Sequence, residues 1–253
     1  MLELFNFFIE EGNRHDNRYM ISGADYNHIK NVLRMKTGDE FLVSENNVSN
    51  LCRIESFENE CIIAEIIEER FQNTSLPVKI YLFQGLPKSD KMELIIQKAV
   101  ELGVDGIIPV EMNRCVVKLD DKKKKSKRER WQAIAESAAK QSKRTSIPEV
   151  SDVMSYKSAL AKAAELDLFM VPYECKDGME STKSALSKIK SGSIIGILIG
   201  PEGGFELNEI DAATNAGGIT VSLGKRILRT ETAAITAVGM CMLYTEMNVD
   251  GVE

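Results

Sequence analysis

The stretch Ile194–Phe205, I-I-G-I-L-I-G-P-E-G-G-F, decides how the rest of this chain is read. A β-type apolar run stops on Gly-Pro-Glu-Gly-Gly, and a helical pattern from Glu206 to Ala216 follows at once. A strand that ends on glycines brings bare backbone N–H and C=O groups to a ligand with no Cβ in the way. In open α/β sheets, ligands bind just outside such carboxyl ends of strands. The loop is not a P-loop, which would close on Gly-Lys-Ser/Thr where this chain has Gly-Gly-Phe, and it lacks G-x-G-x-x-G. Taken alone, it reads equally well as a glycine-rich turn without a ligand.

Its neighbours add weight. In Ile219–Ala234, I-T-V-S-L-G-K-R-I-L-R-T-E-T-A-A, a short strand ends at Gly224 and a basic segment with Lys225, Arg226 and Arg229 follows. Thr230 or Thr232 then opens a helix to about Met247, with Glu231 in the first turn, where a carboxylate complements the helix dipole. A third strand, Asp167–Glu174, turns at Pro172. Three strand ends of this kind predict one shared pocket.

Outward from that region, strands alternate with helices from Val78 onward. Strand 78–86, helix 89–103, strand 106–110, helices 127–141 and 155–166, strand 167–172, helix 181–189, strand 193–199, helix 206–216 and strand 219–223 predict a parallel α/β sheet covered on both faces. Residues 1–70 differ. Short strands at Phe41–Ser44, Leu51–Phe57 and Cys61–Ile67, with one helix from Ala24 to Leu33, predict a small β-barrel. Phe71–Pro77 reads as a linker. The expected division is 1–72 and 73–253.

Among 253 residues, no apolar run approaches a membrane span, and the start has no basic region ahead of its apolar residues. Five dispersed cysteines (Cys52, Cys61, Cys115, Cys175, Cys241) predict reduced thiols in a cytoplasmic protein. With only His15 and His28, no metal site is expected. The net charge of −6 would argue against a nucleic-acid partner, but its distribution does not. Arg114 to Arg144 holds twelve Lys/Arg and four Asp/Glu, a local +8 that predicts an anion-binding face. Lys122–Lys125 alone reads as a solvated run at a helix start. Arg114, Lys118, Lys143 and Arg144 are the candidates for positioned contacts.

Five segments together resemble the RsmE family of 16S rRNA (uracil-N3)-methyltransferases, of the SPOUT class. They are H-I-K-N-V-L-R (His28–Arg34), K-S-D-K-M-E-L-I-I-Q-K-A-V-E-L-G-V (Lys88–Val104), R-C-V-V-K (Arg114–Lys118), I-G-P-E-G-G-F (Ile199–Phe205) and L-G-K-R-I-L-R-T-E-T-A (Leu223–Ala233). The resemblance covers nearly the whole chain. It implies a trefoil-knotted parallel-sheet domain, a small N-terminal PUA-like β-barrel for RNA, and a homodimer. It implies S-adenosylmethionine as methyl donor and a uridine of small-subunit rRNA, position 1498 in the customary rRNA numbering, as acceptor.

On that reading, Gly200, Gly203, Gly204 and Gly224 expose backbone to the cofactor. Ile199, Leu223, Ile227 and Leu228 wall its adenine. Val171 and Pro172 at the third strand end, with Thr232 and Ala233 at the helix start, complete the set. Uracil N3 becomes nucleophilic when its proton leaves, so Arg229 is expected to stabilise the developing anion. Glu231, or solvent, takes the proton. The alternative is that Arg229 and Glu231 form an ion pair bracing the loop. N3 lies on the Watson–Crick edge, so the uridine must be unpaired or flipped out. Arg14, Arg34 and Lys36 are expected on one side of the RNA path, and Arg114, Lys143 and Arg144 on the other. Family members often carry Arg where this chain has Asn6. Its first seventy residues sum to −7, so the barrel is expected to contribute shape and a few arginines. Two competing readings are another SPOUT RNA methyltransferase and a non-catalytic RNA-binding assembly factor.

Overall fold

The computed structural model describes residues 4–9, 12–173 and 178–249. Cys175 and the last residue of the expected 167–174 strand lie outside the described residues. The chain divides into two compact units, Met1–Ser75 with Ala139–Ile147, and Leu76–Ala138 with Pro148–Glu253.

The first unit is a six-stranded sheet. Its strands are β1 (Asn6–Phe8), β2 (Arg14–His15), β3 (Arg18–Ile21), β4 (Glu40–Glu45), β5 (Val48–Glu58) and β6 (Cys61–Gln72), in the order β1-β4-β5-β6-β3-β2. Only β1 and β4 pair in parallel; the other ladders are antiparallel. The two-residue turn between β4 and β5 puts Asn46 and Asn47 at φ of 51° and 62°, which suits asparagine and matches the strand twist. Along β6, Ile62, Ala64 and Ile66 alternate inward, as a half-buried strand requires, and meet Phe7, Tyr19, Ile29 and Phe41 in one core.

Three expectations are corrected in this unit. The helix expected over 24–33 is a short α1 (Gly23–Asn27) continued by a wider π turn, His28–Val32, closed by Leu33 N–H to the His28 carbonyl at 2.9 Å. That turn keeps Ile29 fully buried and stops at Arg34, whose φ of 55° no helix continues. The linker expected over 71–77 starts later, because β6 runs to Gln72. The segment 139–147, expected in the second domain, belongs to this unit. Its backbone is held by Asn6 Nδ2 to the Arg144 carbonyl (2.9 Å) and Thr74 Oγ1 to the Lys143 carbonyl (3.1 Å). Asn6 is therefore a buried structural amide, and its Oδ1 accepts from Ser44 Oγ.

The second unit is a parallel α/β sheet. Its strands are β7 (Lys79–Gly85), β8 (Gly106–Glu111), β9 (Glu149–Val150), β10 (Met154–Ser155), β11 (Leu168–Pro172), β12 (Ile194–Ile199) and β13 (Ile219–Val221). The order is β10-β8-β7-β12-β11-β13, with β9 also on β8, and every ladder is parallel. The helices are α2 (Lys91–Glu101), α3 (Asp121–Gln141), α4 (Tyr156–Ala163), α5 (Met179–Leu186), α6 (Leu207–Asn215) and α7 (Thr230–Asn248). Residues 195–199 of β12 are all buried, because both faces of a central parallel strand are covered; this is why Ile194–Ile199 reads as a continuous apolar run. The helix α3 starts six residues before the expected Lys127. Asp120 Oδ1 accepts the Lys123 N–H at 2.8 Å and caps the start, so Lys122–Lys125 lies inside the first turns.

Candidate functional site

The register of the second sheet brings four strand ends together. Ile199 of β12 stands opposite Gln84 of β7, Met170 of β11 opposite Ile197, and Pro172 of β11 opposite Val221 of β13. Beyond these ends lies a cavity of about 560 Å³, a size typical of small-molecule sites. Its walls come from Pro172–Tyr173, Ile199–Phe205, Ile227–Thr230, Ala233 and Lys91. The three strand-end loops expected to share a pocket do share it.

The glycine loop is small for reasons internal to the protein. A Cβ on Gly203 would lie 2.8 Å from Arg114 Cβ and 3.1 Å from the Arg114 carbonyl oxygen. A Cβ on Gly200 would meet the Phe205 ring at 3.2 Å. Gly204 has φ of +67° and closes a turn through its N–H to the Pro201 carbonyl at 2.9 Å. These residues let the chain fold back tightly enough to leave room for a ligand. The loop is tied to α7 by Thr230 Oγ1, which donates to the Gly200 carbonyl at 2.6 Å and accepts from Gln84 Nε2 at 3.0 Å. On the other side, Glu209 of α6 accepts the Glu206 and Asn113 N–H groups, at 2.8 and 3.0 Å, fixing the 113–114 turn against the loop.

One part of the wall is aromatic and aliphatic. Tyr173 and Phe205 meet edge to face at 6.2 Å, beside Ile199 and Leu228. Another part is charged. Lys91 Nζ lies 3.1 Å from Glu202 Oε1 and 3.2 Å from Glu231 Oε2. Glu202 Oε1 also accepts the Lys88 N–H at 3.0 Å. Burial pushes the Glu202 carboxyl up, but its own N–H, that of Lys88 and the Lys91 ammonium more than offset this and hold it below the usual range. The Lys91 ammonium is raised, chiefly by Glu202 and also by Glu231. Glu231 Oε2 is buried with no donor aligned on it, although Lys91 Nζ stands beside it. Arg229 occupies the N-cap position of α7 through its backbone; its exposed guanidinium makes no ion pair among the described residues and lines the cavity.

Of the residues expected at the cofactor, Pro172, Ile199, Gly200, Gly203, Gly204, Ile227, Leu228 and Ala233 line the cavity. Val171, Leu223, Gly224 and Thr232 do not. Val171 is buried in the sheet, and Thr232 is exposed on the first turn of α7. Glu231 is also off the wall, and the alternative of an Arg229–Glu231 pair gives way to a Lys91–Glu231 pair. The reading missed Lys91, Tyr173, Pro201, Glu202, Phe205 and Thr230 as wall residues. All but Tyr173 lie within the five segments quoted above, and Tyr173 follows Pro172 directly.

The expected RNA contacts are also redistributed. Arg144, a residue of the first unit, is only 4% exposed, so its side chain is buried rather than offered to phosphate. Lys143 belongs to that same unit, half-buried, at φ of 56°. Arg114 Nη1 donates to the Gly203 carbonyl at 3.1 Å, which makes it a brace of the cavity loop. Arg14 pairs with Glu69 and stacks on Tyr19. Arg34, Lys36 and Lys118 are exposed and make no ion pair among the described residues. In the basic stretch, Lys124 pairs with Glu111 and Arg130 with Glu93, while Lys122, Lys125 and Lys127 form no such pair among the described residues.

No helix among the described residues is long and apolar enough to cross a membrane. The chain matches the family model of an RNA methyltransferase domain over residues 74–242 and that of an RNA methyltransferase PUA domain over 21–67. It is 42% identical over 233 residues to the ribosomal RNA small subunit methyltransferase E of Bacillus subtilis, spanning 90% of this chain and 91% of that protein. The similarity to the Mesomycoplasma hyopneumoniae protein of the same name is 34% over 241 residues, spanning 94% and 99%. Among solved structures, a ribosomal RNA small subunit methyltransferase E from Neisseria gonorrhoeae bound to S-adenosyl methionine superposes with a TM-score of 0.80 at 32% identity, covering 97% of this chain and 100% of that one.

Proposed function

The chain belongs to the ribosomal RNA small subunit methyltransferase E family, and from that premise we propose that it methylates N3 of one uridine in the small-subunit rRNA with S-adenosylmethionine. The observation that carries the reading is the strand-end cavity, with an aromatic wall for a purine, a tight glycine loop presenting backbone, and at its wall Arg229, which makes no ion pair among the described residues. These features fit the cofactor. Tyr173, Phe205, Ile199 and Leu228 would hold its adenine, and the Gly200–Gly204 backbone and the Lys91–Glu202 pair would hold its polar part. When bound, it supplies an electrophilic methyl group on a sulfonium.

The residues of this chain then have separable tasks. Arg229 lines the cavity, makes no ion pair among the described residues, and stabilises the negative charge that spreads to O2 and O4 as N3 loses its proton. Solvent takes that proton, because Glu231 is paired with Lys91 and does not line the cavity. Thr230 and Gln84 hold the helix carrying Arg229 against the glycine loop. The first unit acts as the RNA-binding module and the second as a trefoil-knotted methyltransferase domain. Lys118, Lys122, Lys125 and Lys127 meet phosphates, with Arg34 and Lys36 on the first unit. The enzyme works in the cytoplasm as a homodimer, for which the exposed Leu243 and Met247 of α7 offer an apolar face.

Mass mapping of modified nucleosides in 16S rRNA from a strain lacking this protein tests the proposal. Loss of a single 3-methyluridine, restored by the wild-type chain, supports it. A complete set of modifications, or loss of a ribose methylation instead, refutes it.

A further inference from the structure

Lys91 is the first residue of α2, where the dipole of the helix disfavours a cation. Two carboxylates offset this. Glu202 approaches from the glycine loop at 3.1 Å, and Glu231 from the first turn of α7 at 3.2 Å. One ammonium therefore serves two carboxylates, and the triad carries a net charge of −1. Arg229, which also lines the cavity, forms no ion pair with either acid. The two acids are not equivalent. The Glu231 side chain is 14% exposed and off the cavity wall, whereas that of Glu202 is 24% exposed and on it. The excess negative charge thus faces the cavity through Glu202.

We propose that Glu202, positioned by Lys91, is the counter-charge for the sulfonium of S-adenosylmethionine, and that this triad makes the site prefer the charged methyl donor over its neutral product. Methyl transfer removes the sulfonium charge, leaving the thioether of S-adenosylhomocysteine, which Glu202 no longer attracts. The preference favours product release after each turnover. The inference rests on the cofactor assignment above and adds a specificity determinant to it. A Glu202 that served instead as acceptor for the uracil N3 proton would act on the RNA base and leave cofactor preference unchanged.

The test is calorimetric binding of S-adenosylmethionine and S-adenosylhomocysteine to the full-length protein, with chelator present and without RNA. Glu202→Gln should weaken S-adenosylmethionine by about tenfold, the loss of one charge-assisted contact, while changing S-adenosylhomocysteine by no more than about twofold. Lys91→Met removes the shared cation and leaves the acids more negative. It should shift the ratio the opposite way, toward the sulfonium. Structural damage would weaken both ligands together in both variants, so opposite shifts in the ratio are the signature. If both ligands bind the wild type and neither variant changes their ratio, the counter-charge role is wrong and the cofactor site stands. If neither ligand binds the wild type, the cofactor assignment itself fails, and this inference with it.

Discussion

Arg229 makes no side-chain capping hydrogen bond to α7, so its guanidinium is available to charge that develops in front of it. Arg229→Ala should lower single-turnover methyl transfer by on the order of a hundredfold or more, with RNA affinity nearly unchanged. A parallel loss of RNA binding would make Arg229 an anchoring group instead. Glu231→Gln belongs to a different class. Its carboxylate is bound to Lys91, so the variant should retain the shape of the pH–rate profile; a profile that loses a limb would show that Glu231 takes the proton after all. The Lys91–Glu202 pair also sets a pH window for stability. Glu202 is held below its ordinary pKa, so its contribution is full above about pH 4.3 and fades as pH falls through the depressed value. Lys91 is raised, so its contribution is full below about pH 10.4 and fades as pH climbs through the raised value. The stability difference between wild type and Lys91→Met should therefore be flat from about pH 5 to 10 and shrink outside that range, as chemical denaturation across pH would show.

The glycine loop between β12 and α6 shows how an element can be legible while its reason is not. Glycines at 200, 203 and 204 signalled a strand-end loop, and the cavity lies there. The sequence suggested that glycine at 203 keeps a ligand's approach clear. In the structure, the atom a side chain would strike belongs to Arg114, 2.8 Å from the ideal Cβ. That contact joins residues 89 positions apart, and no local pattern reveals it. Gly203→Val should destabilise the protein by about 1–3 kcal/mol, since an Arg114 backbone atom is among those displaced. It should also weaken cofactor binding by deforming the loop. Gly204→Ala meets no neighbouring atom and should cost only about 1 kcal/mol, the strain of φ +67°. Thermal unfolding of both variants checks the order. Equal losses would mean that backbone conformation, and not packing on Arg114, governs this loop.

For the whole molecule, the basic excess between Arg114 and Arg144 matters through the lysines that make no ion pair among the described residues. RNA binding should weaken steeply with salt, and replacing Lys118, Lys122, Lys125 and Lys127 by glutamine should flatten the slope by roughly one unit per lost phosphate contact. A slope unaltered by all four changes would mean that this face is merely solvated. Arg144, within the same charge excess, should instead affect folding, because it is buried. The sequence by itself determined the two classes of structure, the alternation of strands and helices after Val78, and the three loops that form the cavity. Those features are written in local periodicity and in glycine and proline at strand ends, and each depends on neighbours a few residues away. Only the tertiary structure decided which charges meet. Lys91 reaches Glu202 and Glu231 from separate elements, Arg114 turns to Gly203, and the 139–147 segment joins the first unit. A charged side chain follows whatever partner the fold places within a few ångströms of it, and its position in the chain does not record which partner that will be.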